Sequence, residues 1–329
     1  MPPRLPQAEA IARFRTDLAA LGPVRLPLAI AFSSGPDSLA LLLLAHAAFP
    51  GEVRAATVDH GLRAGSAAEA EHAARICAEL SIPHATLRAD VAAGASVQAH
   101  AREARYGALA GWMDANGFFT LITAHHLDDQ AETLLMRLLR GAGVAGLAGI
   151  RARRPLGDGS DVELLRPLLG WRRVELAAIV AASGFEAVSD PSNADGAFDR
   201  VRIRTLLAGA QWLDPAPLAR SAAALADAED ALQAMTAGAL TDAVEQHEDH
   251  LLLRPATLPR EVVRRLLLHC VRLYAPGARP RGEQVTDAIA ALEQGRILTL
   301  AGVKLSPAGE AWRIEGAPPR RLAPGAKTA

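Results

Sequence analysis

At 329 residues the chain is too long for one small domain, and its length predicts about two. Half of the residues are apolar and 22% are charged, the make-up of an ordered globular protein, which excludes a disordered or fibrous chain. A net charge of −1 creates no global field for nucleic acid; the basic residues are nearly all arginine, with Lys304 and Lys327 the only lysines, so local clusters must decide any anion contact.

Cys77 and Cys270 lie far apart in no metal or redox spacing, which argues against a disulfide scaffold, a zinc site and a persulfide carrier. They read as buried thiols. The opening Met1-Pro2-Pro3-Arg4 has no apolar signal core, and no apolar run approaches the roughly 20 residues of a bilayer span. The expected location is the cytoplasm.

From residue 26 short apolar runs alternate with longer amphipathic stretches, the pattern of βαβ units on a parallel sheet. Strands are predicted at 26–32, 53–59, 85–88 and 118–124. A helix is predicted over 97–116, with Ser96 as N-cap and Gly117 beyond its end. The next runs from Leu127 to Arg140 and stops in the glycine-bearing segment 141–147. Trp212-Leu213-Asp214-Pro215-Ala216-Pro217 then interrupts the pattern. We read a catalytic domain over 1–210 and a second, mainly helical domain over 211–316. That second domain is predicted helical without further strands until a hairpin within 297–314, turning at Pro307-Ala308-Gly309. The proline- and alanine-rich residues 317–329 are expected to be a disordered tail.

Ser33-Ser34-Gly35-Pro36-Asp37-Ser38 follows the first strand, where open α/β sheets bind ligands. Small residues let backbone N–H groups approach phosphate oxygens, the next helix directs its positive end there, and serine hydroxyls add donors. Asp37 would repel a polyphosphate unless a cation lay between them, so it is either a Mg²⁺ ligand or a helix N-cap. The bland alternative is a capped strand-to-helix turn. No lysine follows, so this is not a GxxxxGK[ST] loop.

Thr123-Ala124-His125-His126-Leu127-Asp128-Asp129-Gln130-Ala131-Glu132-Thr133 leads from the fourth strand into a helix. Asp129 and Glu132 share a helical face and make a cation site, for a metal or a substrate ammonium; solvated helix-start acids are the alternative. Adjacent histidines do not converge readily on one ion, which favours a helix-start or base-stacking role. Arginines 137, 140, 151, 153, 154, 166, 172 and 173 gather around this region, as a grip on RNA phosphates or as a solvated face. Arg200, Arg202 and Arg204 alternate, and in an extended segment would point one way. Arg260, Arg264, Arg265 and Arg272 are weaker candidates for RNA contact.

Ser33–Ser38 resembles the SGGxDS loop of the N-type ATP pyrophosphatases, which split ATP between the α and β phosphates and transfer AMP to a carbonyl oxygen. Ser34 replaces the first glycine, which predicts a backbone there that avoids positive φ. Residues 123–133 resemble the AHHxDDQxET motif of the tRNA(Ile)-lysidine synthase family. Asp59-His60-Gly61-Leu62-Arg63, Ala101-Arg102-Glu103-Ala104-Arg105-Tyr106, Arg137-Leu138-Leu139-Arg140-Gly141, Asp190-Pro191-Ser192-Asn193 and Arg200–Arg204 agree with that family in order and spacing.

The resemblance implies a Rossmann-like, doubly wound, mostly parallel sheet of the adenine nucleotide alpha hydrolase kind. It implies that ATP, with Mg²⁺, adenylates the C2 oxygen of the wobble cytidine of a CAU-anticodon tRNA(Ile), after which L-lysine displaces AMP. Carried over by motif, Ser33, Ser34, Gly35, Pro36, Asp37, Ser38 and His60 would bind ATP, with Asp37 on Mg²⁺. Arg105, Asp129 and Glu132 would hold lysine, while Arg140, Arg151, Arg153 and Arg200 would touch tRNA. Asp37, Arg105 and Arg204 are the catalytic candidates. No membrane partner is implied, and a homodimer is left open.

Overall fold

In the computed structural model, which describes residues 4–59, 61, 65–89, 97–157, 159–188, 199–210 and 212–317, the first apolar run becomes β1 (Leu28–Ala31). β2 (Val53–Asp59) and β4 (Thr120–Ile122) pair with β1 on either side, both parallel, and β3 (His84–Arg88) continues parallel from β2. The sheet has six strands in the order β3-β2-β1-β4-β6-β5, completed by β6 (Glu163–Leu165), parallel to β4, and β5 (Arg153–Pro155), antiparallel at the edge. The order reverses between β1 and β4, so their carboxyl ends flank one crevice. β5 and β6 are missing from the sequence reading because each is three residues long, too short for alternation to register.

α2 (Pro36–Ala48) follows β1 directly and is apolar all round, the mark of a helix enclosed on every side. Leu41, Leu42, Leu43 and Leu44 are each 0% exposed, with α1 (Ala8–Ala20) and α7 (Arg173–Ser183) packed against the helix. Truncating one of these leucines to alanine leaves a cavity costing about 2–5 kcal/mol. The phosphate loop therefore leads into a helix packed on every side.

α3 (Ser66–Glu79) and α4 (Val97–Asn116) complete the first βα units; the bounds of α4 match the expected ones, while its expected cap Ser96 lies outside the described residues. α5 (Leu127–Leu139) leads into the short α6 (Val144–Leu147). Gln130 then clamps Ile150, donating through Nε2 to its carbonyl and accepting its N–H. Gly149 is required beside this clamp: its φ is +66°, and a Cβ there would stand 2.5 Å from Gln130 Oε1.

The arginine run at 200–204 is not extended. It lies in α8 (Asp199–Gly209), where the helical period places Arg200 and Arg204 on one face and turns Arg202 away toward Asp199. Alternation of arginines alone does not distinguish the two periods.

Two compact units divide at Ala226 and Asp227, within α9 (Pro215–Ala243); the interruption at Trp212–Pro217 runs into the first turn of that helix, ahead of the division. The second unit contains α10 (Arg260–Tyr274), α11 (Gly282–Glu293) and an antiparallel sheet in the order β7-β8-β11-β10-β9. The expected hairpin is β10 (Val303–Ala308) with β11 (Ala311–Gly316), and β9 (Leu298–Leu300) flanks it. The expected strand-free stretch before the hairpin is overturned by β7 (Val244–Gln246) and β8 (His250–Leu253). The run His250-Leu251-Leu252-Leu253 suits helix or strand equally; pairing with β11, Leu251 opposite Ile314, decides for strand.

α10 buries Val262, Val263, Leu266, Leu267, Cys270 and Val271 against this sheet. Arg265 bridges Glu229 and Glu261, and Arg264 also holds Glu261, so both guanidiniums have partners within the unit. Burial pushes the thiols of Cys77 and Cys270 up to about 12, which leaves them protonated and unreactive at neutral pH. Among the described residues, no helix is long and apolar enough to cross a membrane.

Candidate active site

The crevice at the carboxyl ends of β1 and β4 is a cavity of about 480 Å³ within the first unit. The phosphate loop forms one wall. Ser38 Oγ organises it, donating to the Gly35 carbonyl and accepting from Ser33 N–H, with Ser33 Oγ 3.1 Å away. Gly35 is the N-cap of α2, and Asp37 sits inside its first turn, so the N-cap reading of Asp37 is excluded.

Ser34 departs from expectation. Its φ is +55°, the left-handed conformation that glycine enters without strain. Serine is held there by a 2.7 Å bond from its Oγ to the Ser33 carbonyl and by Val188 N–H on its own carbonyl. Left-handed strain costs of order 1–3 kcal/mol for a side-chain residue, and local hydrogen bonding offsets part of that for serine. Ser34→Gly is expected to keep ATP turnover within about threefold. Ser34→Val, β-branched and without the hydroxyl at a fully buried position, is expected to lower stability by about 2 kcal/mol and turnover with it. Thermal melts and pyrophosphate release on both variants check this.

His126 couples the loop to the opposite wall. It is the N-cap of α5: its Nδ1 accepts from Asp129 N–H while Asp129 Oδ2 accepts from His126 N–H. The helix-start reading of the histidine pair holds for this member. With Nδ1 an acceptor, the proton sits on the buried Nε2, 3.5 Å from Asp37 Oδ2 and 3.6 Å from Asp129 Oδ2. Burial alone would lower the imidazole pKa, but the facing carboxylates outweigh it and raise it. Asp37 is the mirror case: burial would raise its pKa, and His126, Arg173 and Arg204 hold it below the usual carboxylate value. The sequence offers His126 a helix-start or a base-stacking role; its bridge between Asp129 and Asp37 is not legible there, because it depends on β1 and β4 lying side by side.

Asp129 and Glu132 do share a face of α5, and the cations on that face in this structure are the chain's own arginines. Arg200 donates through Nε to Glu132 Oε2 and through Nη2 to Asp129 Oδ1, both at 2.8 Å. Arg204 Nε reaches Glu132 Oε1 at 3.0 Å, and Arg173 Nη2 stands 3.7 Å from it. The Glu132 side chain is 2% exposed, and its carboxyl is held low: burial would raise it, and Arg204 and Arg200 overcome that. Asp129, Arg173, Arg200 and Arg204 line the cavity.

Arg105 and Arg102 reach the same cavity from α4, and burial lowers the Arg105 pKa. Arg140 pairs with Asp199, and Arg151 bonds the Ala226 carbonyl. Arg153 pairs with Glu163 and bonds the Leu21 carbonyl. Arg137 is turned onto the carbonyls of Gly146 and Gly149. Within the arginine cluster seen in sequence, Arg137 and Arg153 bond backbone carbonyls, Arg140 and Arg151 bond α8 and α9, and Arg173 faces the crevice together with Arg200 from outside the cluster. His60, Arg63 and the run Asp190–Asn193 lie outside the described residues.

A parallel sheet with a small, hydroxyl-rich loop after β1 and a facing acidic helix start after β4 defines a PP-loop nucleotide-binding enzyme, and the PP-loop domain family model matches residues 10–210. A tRNA(Ile)-lysidine synthase of Novosphingobium aromaticivorans is 47% identical over 95% of each chain, and one of Zymomonas mobilis is 42% identical over 92% of each. The chain belongs to the tRNA(Ile)-lysidine synthase family and is a ligase with a PP-loop ATP-binding domain. A solved U34-tRNA thiolase, NcsA of Methanococcus maripaludis, has a TM-score of 0.53 at 16% identity, covering 68% of this chain and 78% of its own. That likeness is one of fold alone.

Proposed function

We propose that the chain ligates L-lysine to C2 of the wobble cytidine of a CAU-anticodon tRNA(Ile), consuming ATP to AMP and pyrophosphate and changing codon reading from AUG to AUA. One observation carries this: a single cavity joins the phosphate loop Ser33–Ser38 to Asp129 and Arg105, an anion subsite beside groups for an ammonium and a carboxylate.

In the first step cytidine O2 attacks the α-phosphorus, the bond to the bridging oxygen breaks, and pyrophosphate leaves. In the second, an unprotonated lysine amine attacks C2, the C2–O bond breaks, and AMP leaves. Asp129 takes the other lysine ammonium, Arg105 the lysine carboxylate, and Glu132 serves that subsite by holding Arg200 and Arg204 in place. Arg204 and Arg173 then face the phosphates, and His60 completes the ATP site. Arg140, Arg151, Arg153 and Arg200 are the contacts proposed for the tRNA.

Mg²⁺ fits this arrangement. Among the described residues no group of three His, Cys, Asp or Glu could hold a metal, but Mg²⁺ on a nucleotide needs only one or two carboxylates beside phosphates and water. Asp37, ionised and at the cavity wall, supplies one. Bound there, Mg²⁺ would neutralise phosphate charge.

The deciding experiment incubates the protein with [α-³²P]ATP, lysine and a CAU-anticodon transcript, and follows AMP release with lysine incorporation. AMP release that requires both lysine and the transcript, with lysine joined to the tRNA in equal amount, is expected. Lysine-independent completion or sulfide-dependent modification overturns the proposal.

A further inference from the structure

His125 closes the carboxyl end of β4 and lines the cavity. Its Nδ1 is engaged twice, by Arg166 Nε at 3.3 Å and by Thr123 Oγ1 at 3.0 Å. A guanidinium only donates, so Nδ1 accepts, the Thr123 hydroxyl donates as well, and the proton of the neutral ring sits on Nε2. Arg166 is 3% exposed, and its Nη1 is anchored on the Arg151 carbonyl, so this donor stays in place. Burial first, then the positive fields of Arg166, Arg102 and Arg200, pushes the His125 pKa down to about 3, and the ring is neutral at every working pH. Nε2 is not among the buried polar atoms sealed off without a partner, and no hydrogen bond among the described residues engages it. Its N–H is therefore open to the cavity.

The cavity's cationic groups, Arg102, Arg105, Arg173, Arg200 and Arg204, suit phosphate and carboxylate, and its carboxylates, Asp37 and Asp129, suit cations. A neutral N–H that neither titrates nor changes tautomer suits an uncharged acceptor. Cytosine presents two on its pairing edge, O2 and N3. O2 must stay free to attack phosphorus, which leaves N3. Uracil carries N–H at that position, and a histidine fixed by Arg166 cannot switch to meet it.

We infer that His125 Nε2–H donates to N3 of the wobble cytosine, a specificity contact resting on the cytidine substrate proposed above, with Arg166 as the positioning residue that fixes its tautomer. Reading splayed-out bases on their pairing edges is the usual means of sequence recognition in single-stranded RNA. A donor left unmatched in such a site costs about 10- to 100-fold.

The test compares lysine ligation to CAU transcripts bearing cytidine or 3-deazacytidine at the wobble position; the analogue keeps O2 and the amino group but has C–H in place of N3. For the native protein kcat/KM is expected to fall about 10- to 100-fold on the analogue. For His125→Ala it is expected to start that much lower on cytidine and to fall no further on the analogue. Arg166→Met, freeing the ring to flip, is expected to tighten competitive inhibition by a UAU-anticodon transcript about tenfold relative to the CAU KM. If that buried variant does not fold, the His125→Ala comparison decides alone. Equal losses on the analogue for native and His125→Ala proteins overturn the contact. A native protein that ligates no lysine to the plain transcript overturns the cytidine substrate, and the contact with it.

Discussion

Asp37→Ala is expected to lower pyrophosphate release by about 10²- to 10³-fold while tRNA affinity stays within about threefold. The carboxylate lies in the first turn of α2 at the cavity wall, and no backbone group of that helix depends on it, since Gly35 is the N-cap. His126, whose Nε2 lies 3.5 Å from the carboxylate, keeps its own cap bond to Asp129 when Asp37 is gone. The helix is held by Leu41–Leu44 in the core, so the melting temperature should move by only a few degrees. Asp37→Asn separates charge from shape: it keeps the size, loses the negative charge, and is expected to be nearly as inactive as alanine. Steady-state kinetics over a Mg²⁺ series, with filter binding of the transcript, provide the readout. Equal loss of turnover and tRNA binding, with a lowered melting temperature, would show that Asp37 supports the loop and not the reacting phosphate.

The sequence was most legible where a local pattern and a burial pattern coincide. The βα units through residue 140 show both, and β1, β2, α4 and α5 lie within a few residues of their predicted bounds. It was least legible where long-range pairing decides. β5, β6, β7 and β8 are each three or four residues long and exist through their ladders to partners. The site divides the same way. Ser33–Ser38, Asp129 and Arg105 are visible as motif residues, and one cavity collects them. That Arg200 and Arg204 turn onto Asp129 and Glu132 is not visible, because it requires α8 to be helical and packed on α5. The Ser34 backbone departs from its sequence for a related reason: a side chain argues against positive φ, while the strand-to-helix turn after β1 adopts it.

The Glu132 cluster carries the second large effect. Glu132→Ala removes the single carboxylate that joins Arg200, Arg204 and Arg173, leaving three guanidiniums against one another beside Asp129. Removing one partner of a buried pair costs about 3–5 kcal/mol, and because the arginine side chains are 30–40% exposed and regain water, the lower end applies. About 3 kcal/mol corresponds to a melting temperature roughly 6–12 °C lower for a unit of this size. Lysine-dependent AMP release should fall by about 100-fold, since α8 no longer presents its arginines on the cavity. Glu132→Gln keeps the acceptor oxygen, and its destabilisation should be about half as large. The carboxyl of Glu132 is held below its unfolded value of about 4.3, so its contribution is complete above that pH and is lost as pH falls through the lowered folded value. Melting temperatures of native protein and Glu132→Gln should therefore run parallel from pH 6 to 8 and converge below about pH 4. Curves that stay parallel into acid would mean that the charge on Glu132, as distinct from its shape, does not fasten α8 to α5.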